Sequence, residues 1–241
     1  MGSLRVATFQ RQPRFDDVPG TVERVLADLR WCDARDVDLA VFPECYLQGY
    51  GRDREVMARR ALALDGAIVG EMLARFAPIR TTFLLGLAER RGVACYNTAA
   101  VIRHGRVIGH YSKAHPNEPA FAPGTEFQVF DAEGWLFGIN ICNDANFPET
   151  ALRVSRQGAR LLCYPLNNML APATAERWRE RGVSNLRQRA LETEGWVASS
   201  DVVGSSGKLV SHGLTCIVRP DGEVVARVSE HEEGVALFDL P

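Results

Sequence analysis

The stretch FGINICND, at residues 137–144, ends a short apolar run with a cysteine, and FPET follows at residues 147–150. A continuous apolar run predicts a strand buried on both faces, and Pro148 is typical of the first turn of a helix. Cys142 is therefore predicted to stand at a turn between a strand and a helix, and such a turn can expose the sulfur, present free backbone N–H groups and lower the thiol pKa. Taken alone, Cys142 is as well explained as a buried structural cysteine.

Short apolar runs alternate with helical spacing through the rest of the chain. The predicted helices cover residues 18–36, 67–76, 148–157 and 174–194. The predicted strands cover residues 5–9, 39–42, 82–87, 127–130, 136–141, 161–164, 196–200, 214–218, 224–228 and 235–239, with a hairpin over residues 96–111. This order predicts a layered α/β protein with two sheets and outer helices. Because no repeat, low-complexity tract or linker interrupts the pattern, we expect one domain over residues 1–241.

The composition and net charge of the chain exclude several classes of function. The chain has 241 residues, with 28 Lys and Arg against 30 Asp and Glu and a formal net charge of −2. This balance, without a basic block, predicts no nucleic-acid partner, and no apolar run approaches the ~20 residues of a membrane span. The N-terminal residues lack the apolar core of a signal peptide, so we expect a cytoplasmic protein. Six cysteines without CxxC or zinc-ligand spacing predict neither disulfides nor a metal site.

Two further segments place chemically useful side chains at the ends of predicted strands. Glu44 lies in FPEC at residues 42–45, and Lys113 lies in YSKAH at residues 111–115. In open α/β sheets, sites form at the carboxyl ends of the strands. A partly buried glutamate there has a raised pKa that suits a general base, and a lysine can stabilise an oxyanion. Taken alone, each is more simply explained as a helix cap, a salt bridge or a solvated charge.

Together and in this order, the three segments resemble the nitrilase superfamily of carbon–nitrogen hydrolases, and the resemblance covers nearly the whole chain. It implies a four-layer α-β-β-α sandwich that assembles as a homodimer or a higher homo-oligomer. It also implies Glu44 as general base, Lys113 as oxyanion stabiliser and Cys142 as nucleophile, with no metal or organic cofactor. Many members carry a second catalytic glutamate after the lysine, and Glu118 is its counterpart here, after a shorter gap.

The residues around the nucleophile separate the branches of the superfamily. Nitrilases resemble Cys-Trp-Glu at this point, whereas residues 142–144 read Cys-Asn-Asp, which disfavours nitrile hydrolysis. Cys-Asn-Asp, with PETALRV at residues 148–154, resembles N-carbamoyl-D-amino-acid amidohydrolases. Those enzymes read the substrate carboxylate with an arginine pair, whose place is taken here by Ala145 and Asn146. Because asparagine offers no bidentate fork for a carboxylate, we predict instead an amidase that acts on a small-molecule amide.

The candidate substrate-binding residues are those that the resemblance or their position places near the nucleophile: Tyr50, Asn143, Asn146, Phe147 and Asn167. The backbone N–H of Asn143 is expected to help to hold the oxyanion. Asn167 follows a buried strand, and its amide can read a substrate amide, although it is as well explained as a turn residue. Three alternatives to the amidase remain: an N-carbamoyl-amino-acid amidohydrolase, an acyltransferase using the same thioester, and a catalytically silent interaction module.

Overall fold

A computed structural model describes residues 2–241, in which strands and helices alternate along the chain. The strands are β1 (Leu4–Gln10), β2 (Leu39–Val41), β3 (Thr82–Arg91), β4 (Ala94–Arg103), β5 (Arg106–Ser112), β6 (Val129–Ala132), β7 (Trp135–Ile139), β8 (Leu161–Pro165), β9 (Trp196–Ser200), β10 (Gly204–Ser206), β11 (Leu209–Ser211), β12 (Cys216–Val218), β13 (Val224–Arg227) and β14 (Gly234–Leu240). The α-helices are α1 (Val18–Asp33), α2 (Arg54–Arg60), α3 (Ala67–Phe76), α4 (Pro148–Ser155) and α5 (Pro172–Thr193). A single 3-10 turn, Cys142–Asn146, precedes α4.

The strands form two six-stranded sheets and one short ribbon. The first sheet has the order β14-β1-β2-β3-β4-β5, and the second has the order β13-β12-β9-β8-β7-β6. In each sheet the three central strands run parallel and the outer strands run antiparallel. The parallel strands β2 and β8 are fully buried, as expected of strands covered on both faces.

Alternation along the strands divides the apolar residues into three layers. In β3, Phe83 and Leu85 pack with the residues of α1 and α3, whereas Leu84 points the other way into the layer between the two sheets. The second sheet repeats this division, since Leu161 faces the first sheet and Leu162 packs under α4 and α5. Each such side chain contributes about 1.5–3 kcal/mol by leaving water. The predicted two-sheet sandwich with outer helices is therefore confirmed.

The elements that the sequence did not predict are short or weakly apolar. Helix α2 buries only Met57, so it lacks the apolar stripe that reveals a helix. Its start is set by Asp53, whose carboxylate accepts the backbone N–H of Val56 at 2.8 Å. The β10–β11 ribbon has three residues in each strand and pairs with neither large sheet in the described residues. The boundaries of other elements differ by a few residues; α5 begins at Pro172 and β6 at Val129.

Two negative findings concern residues 2–241. No helix in this part of the chain is long and apolar enough to cross a membrane. The same residues contain no group of three or more His, Cys, Asp or Glu side chains arranged to hold a metal ion. All six cysteines are free thiols.

Candidate active site

A buried lysine lies between two buried carboxylates at one end of the sandwich. The Lys113 ammonium donates to Glu44 Oε1 at 2.8 Å and to Glu118 Oε1 at 3.0 Å. The three side chains are between 0% and 2% exposed. Burying an unpaired charge is very costly, so the charged form of Lys113 is stabilised by the two carboxylates, and Lys113 in turn opposes the rise in the pKa of Glu44 that burial and Glu118 cause. The carboxylates raise the pKa of Lys113 despite its burial, which keeps the ammonium charged.

Glu44 follows β2 in a tight turn that depends on a glycine in the next strand. A side chain at Gly86 would lie 2.2 Å from the carbonyl oxygen of Pro43, so only glycine admits this close approach. The backbone N–H of Glu44 donates to the Leu166 carbonyl at 3.1 Å, which ties the turn to the second sheet. Glu44 is thereby held where the two sheets meet.

The two carboxylate oxygens of Glu44 have different surroundings. Oε1 accepts from Lys113 and, at 2.6 Å, from the Asn97 side-chain amide in β4. Oε2 is buried and has no hydrogen-bond partner among the described residues. Burial raises the pKa of Glu44 to about 6, while Lys113 and Asn97 oppose the rise. At neutral pH the group is thus an ionised carboxylate with one oxygen free to accept a proton.

Cys142 begins the 3-10 turn with a strained backbone. Its φ is 45°, in the left-handed region that non-glycine residues seldom occupy and that is concentrated at functional sites. Asp144 holds the turn, since its carboxylate accepts the Ile141 and His115 backbone N–H groups at 2.9 and 2.8 Å and the Tyr111 hydroxyl at 2.9 Å. These bonds join the cysteine turn to the segment that follows Lys113.

The electrostatics around Cys142 keep its thiol protonated at rest. The turn was expected to lower the pKa of the thiol, but burial and the negative charge of Glu44 raise it well above its ordinary value. The Lys113 ammonium and a hydrogen bond from the backbone N–H of Asn167 act in the opposite direction. A neutral thiol beside an ionised carboxylate is the starting state for proton transfer during attack, rather than for a permanent thiolate.

Glu118 is held by a second set of contacts. The Tyr50 hydroxyl donates to Glu118 Oε1, and burial and the nearby carboxylates raise the pKa of this phenol. Arg52 donates to the Asn117 carbonyl at 3.0 Å, and Arg54 donates to the Pro119 carbonyl at 3.2 Å. The loop that carries Glu118 is therefore hydrogen-bonded on both sides of the glutamate, to Arg52 just before α2 and to Arg54 at the start of α2.

A pocket of about 100 Å³ opens above these groups and is lined by Cys142. Its walls combine asparagines with apolar side chains. The lining asparagines are Asn117, Asn143, Asn146, Asn167, Asn168 and Asn185, and the larger apolar residues are Leu166, Leu170, Trp178, Leu186 and Leu214. A small concave site with a few polar groups beside perturbed titratable residues is typical of an enzyme pocket.

A family model for carbon-nitrogen hydrolases matches residues 5–241. The chain belongs to this family. A Pseudomonas protegens protein described as a hydrolase in the pqqF 5' region is 31% identical over 236 residues, which are 93% of this chain and 78% of the relative. An (R)-stereoselective amidase from a Pseudomonas species is 27% identical over 233 residues, covering 95% of this chain and 82% of the relative. Membership of the nitrilase superfamily is thus confirmed.

The fold agrees with solved structures of the superfamily. A variant of the amidase from Nesterenkonia sp. AN1, in which acrylamide has added to the active-site cysteine, superposes with a TM-score of 0.84 at 23% identity. The match covers 99% of this carbon-nitrogen hydrolase and 93% of the amidase chain. At this identity the likeness shows the shared four-layer fold.

The structure brings most of the predicted site residues of this carbon-nitrogen hydrolase together. Tyr50, Glu118, Cys142, Asn143, Asn146 and Asn167 line the pocket, and Glu44 and Lys113 lie beneath it, buried and bonded to Glu118 or to each other. Phe147 differs from expectation, because it is not among the lining residues. Its ring stacks instead on His115, with centroids 3.8 Å apart.

Several residues of the site were not predicted from the sequence. Asn97 and Asp144 are buried polar residues that hold Glu44 and the cysteine turn, while Trp178 and Asn185 reach the pocket from α5. An asparagine inside the apolar run of β4 was the one available signal for Asn97, because a buried amide needs a specific partner. Nothing in a charged, exposed helix indicated that Trp178 faces a pocket.

Proposed function

We propose that this protein is an amidase that hydrolyses a small-molecule amide through a thioester on Cys142. The observation that carries the proposal is the fixed ammonium of Lys113 between Glu44 and Glu118, beneath the pocket that Cys142 lines. One oxygen of Glu44 stays free to take a proton. Catalytic base, cation and thiol therefore meet in one buried cluster. Relatives described as amidases support the same reaction class.

Attack begins with transfer of the thiol proton to Glu44. As the proton moves to Oε2, the Cys142 sulfur forms a bond to the amide carbon and the carbonyl oxygen becomes an oxyanion. The Lys113 ammonium and the backbone N–H of Asn143, in the first turn after Cys142, offset the new negative charge. First-turn N–H groups have no acceptor within their own helix, and donors of this kind typically contribute about 10²–10³-fold in turnover.

Collapse of this intermediate breaks the C–N bond. The leaving nitrogen takes the proton from Glu44 and departs as ammonia or an amine, leaving the acyl group as a thioester on Cys142. Glu44 then takes a proton from water, whose oxygen attacks the thioester carbon. When the second tetrahedral intermediate collapses, the C–S bond breaks, the sulfur recovers its proton and the carboxylic acid leaves. Glu44 serves as base and acid in both halves, while Glu118 holds Lys113 in place.

The test is a substrate panel with two cysteine variants. Ammonia and acid products are measured for simple amides, secondary amides, N-carbamoyl amino acids and nitriles, using wild type, Cys142→Ala and Cys163→Ala. Cys163 is a fully buried thiol in β8 outside the pocket, so it controls for the loss of a sulfhydryl. Turnover of amides that is lost only in Cys142→Ala supports the proposal, whereas equal turnover by that variant overturns it.

The same panel separates the remaining alternatives. Turnover confined to N-carbamoyl amino acids would identify the carbamoylase reaction. Acid that is released with water as the only nucleophile identifies hydrolysis, whereas an acyltransferase would form its product only in the presence of an added amine. A chain without any turnover, and without selective alkylation of Cys142 by iodoacetamide, would be the silent module.

A further inference from the structure

A further buried carboxylate lies behind one wall of the pocket. Asp201 directly follows β9, and β9 pairs in parallel with β8, so the segments that follow these two strands meet at the same edge of the sheet. Ligand sites of α/β sheets form at this carboxyl edge. Asp201 is fully buried, and no step of the proposed reaction uses it.

Asp201 holds Asn168, which lines the pocket together with Cys142. Asp201 Oδ1 accepts the backbone N–H groups of Asn168 and Val202 at 3.0 and 2.8 Å, and Oδ2 accepts the Asn168 side-chain amide at 2.7 Å. All three donors are neutral N–H groups. A buried charge is costly unless it is hydrogen-bonded, so these contacts are what stabilise the ionised carboxylate.

The carboxylate fixes the direction of the Asn168 amide. Burial raises the pKa of Asp201 to about 6, although the N–H donors of Asn168 and Val202 oppose the rise, so the group is ionised at neutral pH. An ionised carboxylate only accepts hydrogen bonds, and the Asn168 Nδ2 group must therefore face it. The other amide atom, Asn168 Oδ1, has no donor within residues 2–241 and is not among the buried atoms that lack a partner. Asn168 Oδ1 is thus an acceptor that is open to a ligand.

The residue before Asn168 contacts the reacting groups. The backbone N–H of Asn167 donates to the Cys142 sulfur, and the Asn167 side chain donates to the Glu44 carbonyl at 3.4 Å. Asp201 orients the very next residue of the chain. The acceptor on Asn168 therefore belongs to the part of the pocket that lies beside the nucleophile.

We infer that Asp201 is a positioning residue, which makes Asn168 present its Oδ1 to the pocket as the acceptor for a hydrogen-bond donor on the substrate. This inference rests on the proposed function and adds a property to its pocket. The preferred amides would carry an N–H group besides the scissile amide. A substrate with an ether oxygen at that place would meet Oδ1 without a hydrogen atom between the two oxygens. A buried acceptor that is left unpaired costs binding free energy.

The decisive variant reverses the Asn168 amide. In Asp201→Asn, the remaining side-chain oxygen still accepts the backbone N–H groups of Asn168 and Val202, whereas an NH2 group replaces Oδ2. That group cannot accept from Asn168 Nδ2, so the Asn168 amide is expected to turn round and present Nδ2 to the pocket. Asp28→Asn is the matched control, because it makes the same change in a buried carboxylate that does not line the pocket.

Paired amides of similar shape report the direction of the Asn168 amide. Pyrrole carboxamides carry a donor N–H in the ring, and furan carboxamides with the same substitution carry an acceptor oxygen there. Ammonia release gives kcat/KM at a pH above the pKa of Asp201, with Cys142→Ala as the blank. For a pair that is not turned over, the inhibition constants against the best amide are compared instead. Dividing the pyrrole-to-furan ratio of a variant by that of wild type cancels the different reactivity of the two rings.

Asp201→Asn is expected to lower the pyrrole-to-furan ratio by about tenfold in at least one pair, the size of one hydrogen bond. Asn168→Ala should lower the ratio as well, because it removes the acceptor. Adding Asp201→Asn to Asn168→Ala should then change the ratio no further, since Asp201 acts through Asn168. Asp28→Asn should leave the ratio unchanged.

A ratio that Asp201→Asn leaves unchanged in every pair, or changes equally with and without the Asn168 side chain, would overturn the inference. Circular dichroism checks the fold of each variant. If Asp201→Asn does not fold, an unchanged ratio in Asn168→Ala overturns the inference by itself. Failure of the proposed function is a different result, in which Cys142→Ala keeps its ammonia release.

Discussion

Two buried ion-pair clusters in this protein differ in how completely their polar atoms are hydrogen-bonded. In one, Arg11 and Asp28 join the end of β1 to α1, with guanidinium–carboxylate distances of 2.6 and 2.9 Å. Arg11 also donates to the carbonyls of Gln10 and Gly234. In the other, Lys113 serves both Glu44 and Glu118, and one oxygen of each carboxylate is buried without a partner.

This difference distinguishes an ion pair that stabilises the fold from a cluster that keeps an oxygen free for proton transfer. An ion pair whose polar atoms are all hydrogen-bonded has no free acceptor for a proton or a substrate. Removing one partner of such a pair lowers the free energy of unfolding. A buried carboxylate oxygen without a partner costs free energy in the folded state, and such groups are retained where a proton or substrate will occupy them. The Arg11–Asp28 pair is therefore expected to stabilise the fold, while the Lys113 cluster is the one that we propose to be reactive.

The largest expected effect tests the reactive cluster. Glu44→Gln keeps the shape and the hydrogen bonds to Oε1 but removes the proton acceptor, so kcat for the best amide should fall by about 10²–10⁴-fold. Steady-state kinetics measure the loss, and circular dichroism checks the fold. Glu149→Gln, an exposed carboxamide change in α4, is the control. A Glu44→Gln enzyme that keeps a tenth of wild-type kcat would remove the distinction between the clusters.

The same chemical change in the other cluster should have the opposite profile. Asp28→Asn leaves the largely buried Arg11 charge without its counter-ion, so the free energy of unfolding should fall by about 3 kcal/mol with kcat unchanged. Urea denaturation measures the first quantity and steady-state kinetics the second. Asp239→Asn, in the exposed pair with Arg5, should cost less than about 1 kcal/mol. Equal losses in the free energy of unfolding for both variants would show that the buried Arg11–Asp28 pair contributes no more to stability than the exposed pair.

A smaller effect concerns stability against pH. The pKa of Glu44 is about 6 in the folded chain, above its ordinary 4.5, so the folded state binds more protons than the unfolded state between these values. Stability should therefore fall as pH rises from about 4.5 to about 6, by about 2 kcal/mol from this group. Glu44→Gln should flatten that part of the curve.

Asp201 has the same sign of dependence, since burial raises its pKa to about 6. The quantity to measure is hence the difference between wild type and Glu44→Gln, from urea denaturation at several pH values. Parallel curves for the two proteins would contradict the assignment of a raised pKa to Glu44.

The smallest expected effect is a shift in the pH dependence of turnover when Asn97 is replaced. Its amide stabilises ionised Glu44, so Asn97→Leu should raise the pKa of Glu44. The acid limb of kcat/KM, expected near pH 6, should then move upward by about one pH unit. Thr98→Val is the control, because Thr98 bonds to Glu89 and Ser112 in a separate network. An acid limb that stays in place would leave Asn97 a purely structural residue.

The layered fold was predictable because strands that are buried on both faces appear in the sequence as continuous apolar runs. The helix at residues 67–76 matches α3, and the runs at 161–164 and 196–200 match β8 and β9 closely. Helix α2 and the β10–β11 ribbon left no such mark, since one buried methionine or three-residue strands give no periodicity.

The site was predictable only where a strand end and a reactive residue type coincide. Glu44, Lys113 and Cys142 satisfy that rule, and the structure brings them into one cluster. Their catalytic roles stay predictions. Asn185 and Trp178 were not predictable, because their contact with the pocket depends on how α5 crosses the second sheet, which no local pattern encodes. Phe147 was predicted to lie at the pocket, but it is not among the residues that line it.

The hydrogen bond from the Glu44 N–H to the Leu166 carbonyl has a consequence for refolding. Glu44 follows β2 of the first sheet and Leu166 follows β8 of the second. The cluster also needs Lys113, which follows β5 of the first sheet, and Cys142, which follows β7 of the second. Neither sheet alone contains a functional site. Regain of turnover after dilution from denaturant is therefore expected to report the docking of the two sheets, and not the formation of either sheet alone.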